Sequence, residues 1–165
     1  MDEPLGRLSI LIRRARRLSF REVLDLGPAL WRLLIIRFSL LGSIAATRDR
    51  FGGPAESPEN PLLGNSKSAD QSQIALWQRR ARALRRASRM VPGAHCLARA
   101  LALRWWMRGL GQNAVVVIGV RRAARGIASH AWVEYHGLPI DESMEIVQKF
   151  QVISQDNLPS TGWSR

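Results

Sequence analysis

Residues 92–141 read PGAHCLARALALRWWMRGLGQNAVVVIGVRRAARGIASHAWVEYHGLPID. Ala and Leu dominate from His95 to Arg108, a composition of high helix propensity, and Gly109 and Gly111 stop the run. The period then changes. Ala114–Val120 (AVVVIGV) is a β-branched run of the kind that forms a buried strand. Arg121–Ser129 reads as a basic loop. His130–Tyr135 is predicted as a second strand, His136-Gly137 as a tight turn and Leu138–Asp141 as a third strand. A helix followed by consecutive short strands predicts an α+β domain, with the helix packed on an antiparallel sheet.

Upstream, Ile74, Trp77, Ala81, Leu84 and Val91 recur at helical spacing and predict another helix, starting after Asp70 with Gln73 completing a weak capping pair. Phe51–Asp70 (FGGPAESPENPLLGNSKSAD) is dense in Gly, Pro, Ser and Asn, and reads as a linker. Before it, Ser19-Phe20-Arg21-Glu22 is a capping box that opens a helix. Gly27-Pro28 should interrupt that helix, with Pro28 in the first turn of a second one running to about Ala46. This second helix is apolar almost all round, from Leu30 to Ile44. Spanning a membrane would bury Arg32 and Arg37 near its centre at roughly 2.5–3.5 kcal/mol each, so burial against protein is expected and an interfacial membrane helix is the minority reading. Downstream, Phe150–Ile153 offers one more short strand. The predicted organisation is a helical N-terminal region over 1–51, a linker over 52–70 and a core domain over 71–165.

Net charge is +12, and Lys67 and Lys149 are the only lysines. From Gln71 to Val133 there is no Asp or Glu, while twelve arginines from Arg79 to Arg125 fall there. Such a field attracts nucleic acid, anionic lipid or acidic peptide; the plainer reading is a solvated, Arg-rich helix surface. Helix-turn-helix, zinc and RNA-binding signatures are all missing, so nucleic acid is not expected as a partner. The single cysteine, Cys96, excludes an internal disulfide framework and a multi-cysteine zinc site, and no cofactor or metal is called for. The opening MDEPLGRLSI carries no apolar run, so the expected compartment is the reducing cytosol.

Cys96 falls in the first turn of its helix, where backbone N–H groups and the helix dipole favour a thiolate, the reactive nucleophile. The alternative is a small buried hydrophobe, the common fate of a lone cysteine. The hairpin adds chemistry. With His136-Gly137 as a two-residue turn, Tyr135 pairs with Leu138, and His130, Trp132, Pro139, Asp141 and Ser143 share one face. Asp141 becomes a diagonal neighbour of His130, close enough for imidazole and carboxylate to meet. One residue of slip would replace Asp141 by Glu142. A nucleophile, a base and an orienting acid thus stand in the order Cys96, His130, Asp141. His95 points about 100° away from Cys96 on the helix, and His136 sits in the turn.

The stretch RRASRMVPGAHC through HAWVEYHGLPIDE resembles the leader peptidases of lasso peptide biosynthesis, within the bacterial transglutaminase-like cysteine proteases. The matching elements are the Cys opening an Ala/Leu-rich helix, Arg108-Gly109-Leu110, Ile118-Gly119-Val120, and His130-Ala131-Trp132-Val133-Glu134 followed by Gly137. The resemblance implies a transglutaminase-like, papain-like core and a catalytic triad of Cys96, His130 and Asp141. It implies removal of the leader from a ribosomally made precursor peptide, the substrate. A chain this short has no room for a fused leader-binding domain, so it resembles the split type, which works with a separate small recognition protein and upstream of a macrolactam synthetase. Other transglutaminase-like amidase or acyltransferase chemistry is the alternative, and a basic nucleic-acid-binding module the more distant one.

Overall fold

The structure, a computed structural model, describes residues 20–47, 50–51, 71–124 and 126–155. Ser19 and the basic lead-in before it, the linker over 52–70 and the tail after 155 lie outside the described residues. In chain order the elements are α1 (Phe20–Gly42), α2 (Ile44–Thr47), α3 (Gln71–Ala87), α4 (Cys96–Arg108), β1 (Val115–Ala123), β2 (Gly126–Tyr135), β3 (Leu138–Pro139), α5 (Met144–Val147) and β4 (Gln151–Gln155). Among the described residues no helix is long and apolar enough to cross a membrane.

The expected break at Gly27-Pro28 does not occur: α1 runs through it. Proline removes a hydrogen bond to the carbonyl of Leu24, but both Leu24 and Pro28 are exposed, so water can satisfy that carbonyl. An adjoining side of α1 carries Asp25, Ala29, Leu33 and Ile36, buried at helical spacing across the proline. Their burial keeps one continuous helix where local propensity favours two.

α1, α3 and α4 pack around Trp77, Leu84, Leu101, Leu103 and Met107, all buried with Leu33 and Ile36 in one cluster. Each such side chain contributes about 1.5–3 kcal/mol relative to exposure. Two arginines enter this layer. The Arg32 guanidinium lies 4.7 Å from the Trp106 ring centroid and that of Arg80 4.8 Å from it. Burial lowers the pKa of both, and Asp25, 2.7 Å from Arg79 and 3.8 Å from Arg80, offsets the charge across the α1–α3 contact.

The sheet has the order β3-β2-β1-β4, antiparallel throughout. Of Arg121–Ser129, expected as a loop, Arg121–Ala123 and Gly126–Ser129 are instead the far ends of β1 and β2, with pairing continuing to Ala123↔Gly126. These residues are mostly exposed because the ribbon extends past the helices, and a two-stranded ribbon in water shows no buried face for sequence patterning to reveal. The turn at the other end is as expected: His136 has φ 51° and Gly137 φ 74°, with Tyr135↔Leu138 and Glu134↔Pro139 paired.

Strand alternation divides the sheet into two faces. Val116, Ala131, Val133 and Tyr135 join the helical core, whereas Val117 and Trp132 form a smaller cluster with Val147, against which Val115 and Phe150 pack. Gly119, opposite His130, forms the floor of the second cluster. A Cβ there would lie 2.8 Å from the Cβ of Phe150 and 2.9 Å from the Trp132 ring. Gly119→Ala should therefore destabilise the fold by about 1–3 kcal/mol, the usual cost of overpacking, seen as a lower urea midpoint with an unchanged m-value. A midpoint at or above wild type would show that the floor is not close-packed.

Candidate active site

Cys96 is the first residue of α4, partly exposed, and the turn before it is held from outside its own segment. Arg37 of α1 donates from Nε to the carbonyl of Pro92 over 3.0 Å. Gly93 takes φ 75°, and a Cβ on it would meet the Arg37 guanidinium at 2.7 Å, so glycine is needed for both conformation and approach. His95 caps α4 with extended backbone and no side-chain hydrogen bond. The first-turn N–H groups, that of Cys96 among them, thus lack a capping side chain.

His130 lies on β2, with 17% of its side chain exposed, beside the rings of Trp132 (centroids 6.2 Å apart) and Phe150 (5.3 Å). Its Nε2 is 2.8 Å from Oε2 of Glu142. The carboxylate partner of His130 is therefore Glu142, and Asp141, expected in that place, is not in contact with the ring.

The reason lies in the ladder. Ile140 N–H still donates to Val133 O over 2.9 Å, but the reciprocal bond is not to the Ile140 carbonyl. Val133 N–H donates instead to Oδ1 of Asp141 over 2.8 Å. A side-chain carboxylate takes the last rung, the chain peels off the sheet, and the expected pairings Trp132↔Asp141 and His130↔Ser143 never form. Asp141 turns toward the helices, where it lines a small void with Ala81, Leu84, Arg85, Arg99 and Leu103. Glu142 is delivered to His130. Arg85 of α3 holds both residues, donating to Oε1 of Glu142 and to the main-chain oxygen of Asp141.

These adjacent carboxyls are driven apart electrostatically. Burial pushes the Asp141 pKa up to about 6, against the pull of the Val133 N–H, its own N–H and Arg99. Burial also opposes charge on Glu142, but the Arg85 hydrogen bond and charge, together with the His130 hydrogen bond, outweigh it and hold that carboxyl below its usual range.

The structure thus joins His130 to a carboxylate and sets Asp141 near Arg99, one turn along α4 from Cys96. No hydrogen bond joins Cys96 to His130 among the described residues, and their strand and helix neighbours belong to the two different clusters. Sequence reasoning missed Arg85 and Arg37; arginines in a run of arginines give no signal of which one is engaged. Among the described residues no group of His, Cys, Asp or Glu could hold a metal ion.

The Asp141 shift carries a sign. Its folded pKa lies above the unfolded value, so its contribution to stability is complete at low pH and is lost as pH rises through about 6. Asp141→Asn keeps an oxygen for Val133 N–H but cannot ionise. Relative to wild type, this variant should gain on the order of 2–3 kcal/mol in unfolding free energy between pH 4 and pH 7.5. A wild-type minus variant difference that is flat with pH would remove the case for a strained, buried carboxylate.

The sequence profile described as transglutaminase-like superfamily matches residues 43–155 of the 165. Searches of curated proteins and of solved structures return no significant match. Members of that superfamily are typically cysteine peptidases or acyltransferases, and the match takes in α3, α4, the whole sheet, Cys96, His130 and both carboxyls. With more than half of its length matched, and with helices packed on one antiparallel sheet, the chain belongs to the transglutaminase-like superfamily.

Proposed function

We propose that the chain is a cysteine endopeptidase that removes the leader from a ribosomally made lasso peptide precursor. The observation that carries this reading is the His130–Glu142 pair on the sheet of a transglutaminase-like domain whose lone cysteine opens α4. In this reading Cys96 is the nucleophile and His130 the base. Glu142, rather than Asp141, is the carboxylate that orients the ring. With Nε2 turned to Glu142, Nε2 carries the hydrogen and Nδ1 is left to accept the thiol proton. The thiolate attacks the scissile carbonyl, and the imidazolium returns its proton to the departing amine. That amine is the core N-terminus, now free for a macrolactam synthetase, and water then hydrolyses the thioester to release the leader. The Cys96 N–H is the natural first donor to the oxyanion. This reading requires the thiol and the imidazole, which pack with different clusters and are not hydrogen-bonded among the described residues, to come within reach of each other in the substrate complex.

The experiment is mass spectrometry of a precursor incubated with the protein and a recognition partner. Cys96→Ala should abolish cleavage, and His130→Ala should come close to it. Glu142→Gln should slow the reaction by at least about ten-fold, and by more than Asp141→Asn does, because only Glu142 touches the ring. Normal leader removal by Cys96→Ala sinks the peptidase reading, and a new amide in place of two fragments moves the chemistry to acyl transfer.

The recognition partner has a surface to meet. Phe20, Leu24, Trp31, Phe38 and Leu41 form an exposed apolar stripe along α1, Trp31 being 63% and Phe38 68% exposed. Leu34 and Ile35, in contrast, pack partly into the core. We take the stripe as the face that docks a small leader-binding protein. Trp31→Glu with Phe38→Glu should leave the circular dichroism spectrum intact and reduce cleavage by about 10²-fold or more at low micromolar precursor, through loss of effective concentration. Equal rates with and without the partner in the wild-type protein would end the split-system reading.

A further inference from the structure

A cleft of about 600 Å³ lies between α3 and the segment Ile140–Ile146, immediately beside the Arg85–Glu142–His130 chain. That volume is within the roughly 300–1,000 Å³ range of ligand sites. One wall is formed by α3, with Arg82, Arg85 and Arg86 and with Gln78 a turn earlier, and by Arg89 in the turn that follows the helix. The other wall is Ile140, Ser143 and Ile146 together with the two acidic residues, Asp141 and Glu142, that Arg85 holds.

Two of the four arginines are already engaged. Arg85 is tied to Glu142 and to the Asp141 main chain, and Arg86 lies 3.2 Å from Glu22 of α1. Arg82 and Arg89 are exposed, and neither has an acidic partner among the described residues. Their own segment cannot supply one, because Gln71–Val133 contains no Asp or Glu. Arg85 neutralises the Glu142 charge, so the cleft presents two uncompensated guanidinium forks next to small apolar side chains.

We propose that this cleft binds an acidic segment of the peptide substrate, with Arg82 and Arg89 receiving its carboxylates. The inference rests on the reading of the chain as a peptidase and names what its substrate carries. Guanidinium forks match carboxylates in two-point geometry, and Ile140 and Ile146 supply apolar contact for the intervening side chains. A peptide seated there lies beside Glu142, the hydrogen-bond partner of His130. Nucleic acid is disfavoured, because the lining holds no aromatic side chain on which a base could stack.

The test measures binding without turnover. Fluorescence anisotropy with the full-length Cys96→Ala protein at low salt compares two labelled twelve-residue peptides, one with alternating Glu and Ala and the other with Gln in place of each Glu. A labelled oligothymidylate is the third probe. The Glu peptide should bind about ten-fold or more tightly than the Gln peptide. Arg82→Gln with Arg89→Gln should erase that preference. Arg108→Gln with Arg122→Gln, which removes the same charge elsewhere, should reduce affinity for the Glu peptide by less than about two-fold. Equal binding of the two peptides, equal losses in the two double variants, or tighter binding of the oligothymidylate that the cleft variant abolishes would each overturn the proposal. The two-peptide comparison needs no variant of the cleft. Because no bond is cleaved, failure of the peptidase reading leaves its outcome legible.

Discussion

One hydrogen bond sets the geometry on which the site depends. Val133 N–H in β2 takes its last rung from the carboxylate of Asp141 rather than from a main-chain carbonyl. A strand that ends this way leaves no unpaired donor in the interior, yet it frees the next residue from the pleat. Glu142 is thereby released from strand alternation and reaches His130, which a continuous ladder would not allow. The cost is a carboxyl pressed among α3, α4 and the sheet, and its raised pKa expresses that cost.

Arg85 makes the arrangement durable. It is the contact through which α3 binds the residues that leave the sheet, and it neutralises Glu142 in a place where an unpaired carboxylate would be expensive. Two consecutive carboxyls consequently differ in their ease of ionisation, Asp141 raised and Glu142 lowered. Divergence of neighbouring titratable groups is how a site separates a structural acid from one that serves an imidazole. The helical layer thus participates in the electrostatics of the sheet.

Much of this fold is legible in the residues themselves. The Ala/Leu run, the β-branched run and the His136-Gly137 turn each announce an element through strong local preferences, and α4, β1 and the β2–β3 turn lie where those preferences put them. Legibility fails where tertiary burial outweighs local chemistry. Pro28 reads as a helix boundary until Asp25, Ala29 and Leu33 are buried on the side next to it. Arg121–Ser129 reads as a loop because a ribbon wetted on both faces has no apolar alternation. At the site, alternation leads to Asp141 and the slip of one residue leads to Glu142. What decides between them is a side chain substituting for a backbone carbonyl, an event that no periodicity encodes.

The grip of Arg37 on the Pro92 carbonyl has a consequence for where this domain begins. The superfamily match starts at residue 43, after α1, yet Arg37 lies within α1 and so do Leu33 and Ile36, which complete the core of α3 and α4. The unit of homology is therefore smaller than the unit of folding. A fragment cut at the edge of the recognisable family would keep Cys96, His130 and Glu142 in its sequence. It would lose the clamp on the turn leading into Cys96 and open one side of its hydrophobic layer to water. For this chain, grafting or minimising the catalytic segment means carrying Phe20–Gly42 with it, as an internal scaffold that family boundaries drawn on sequence alone leave out.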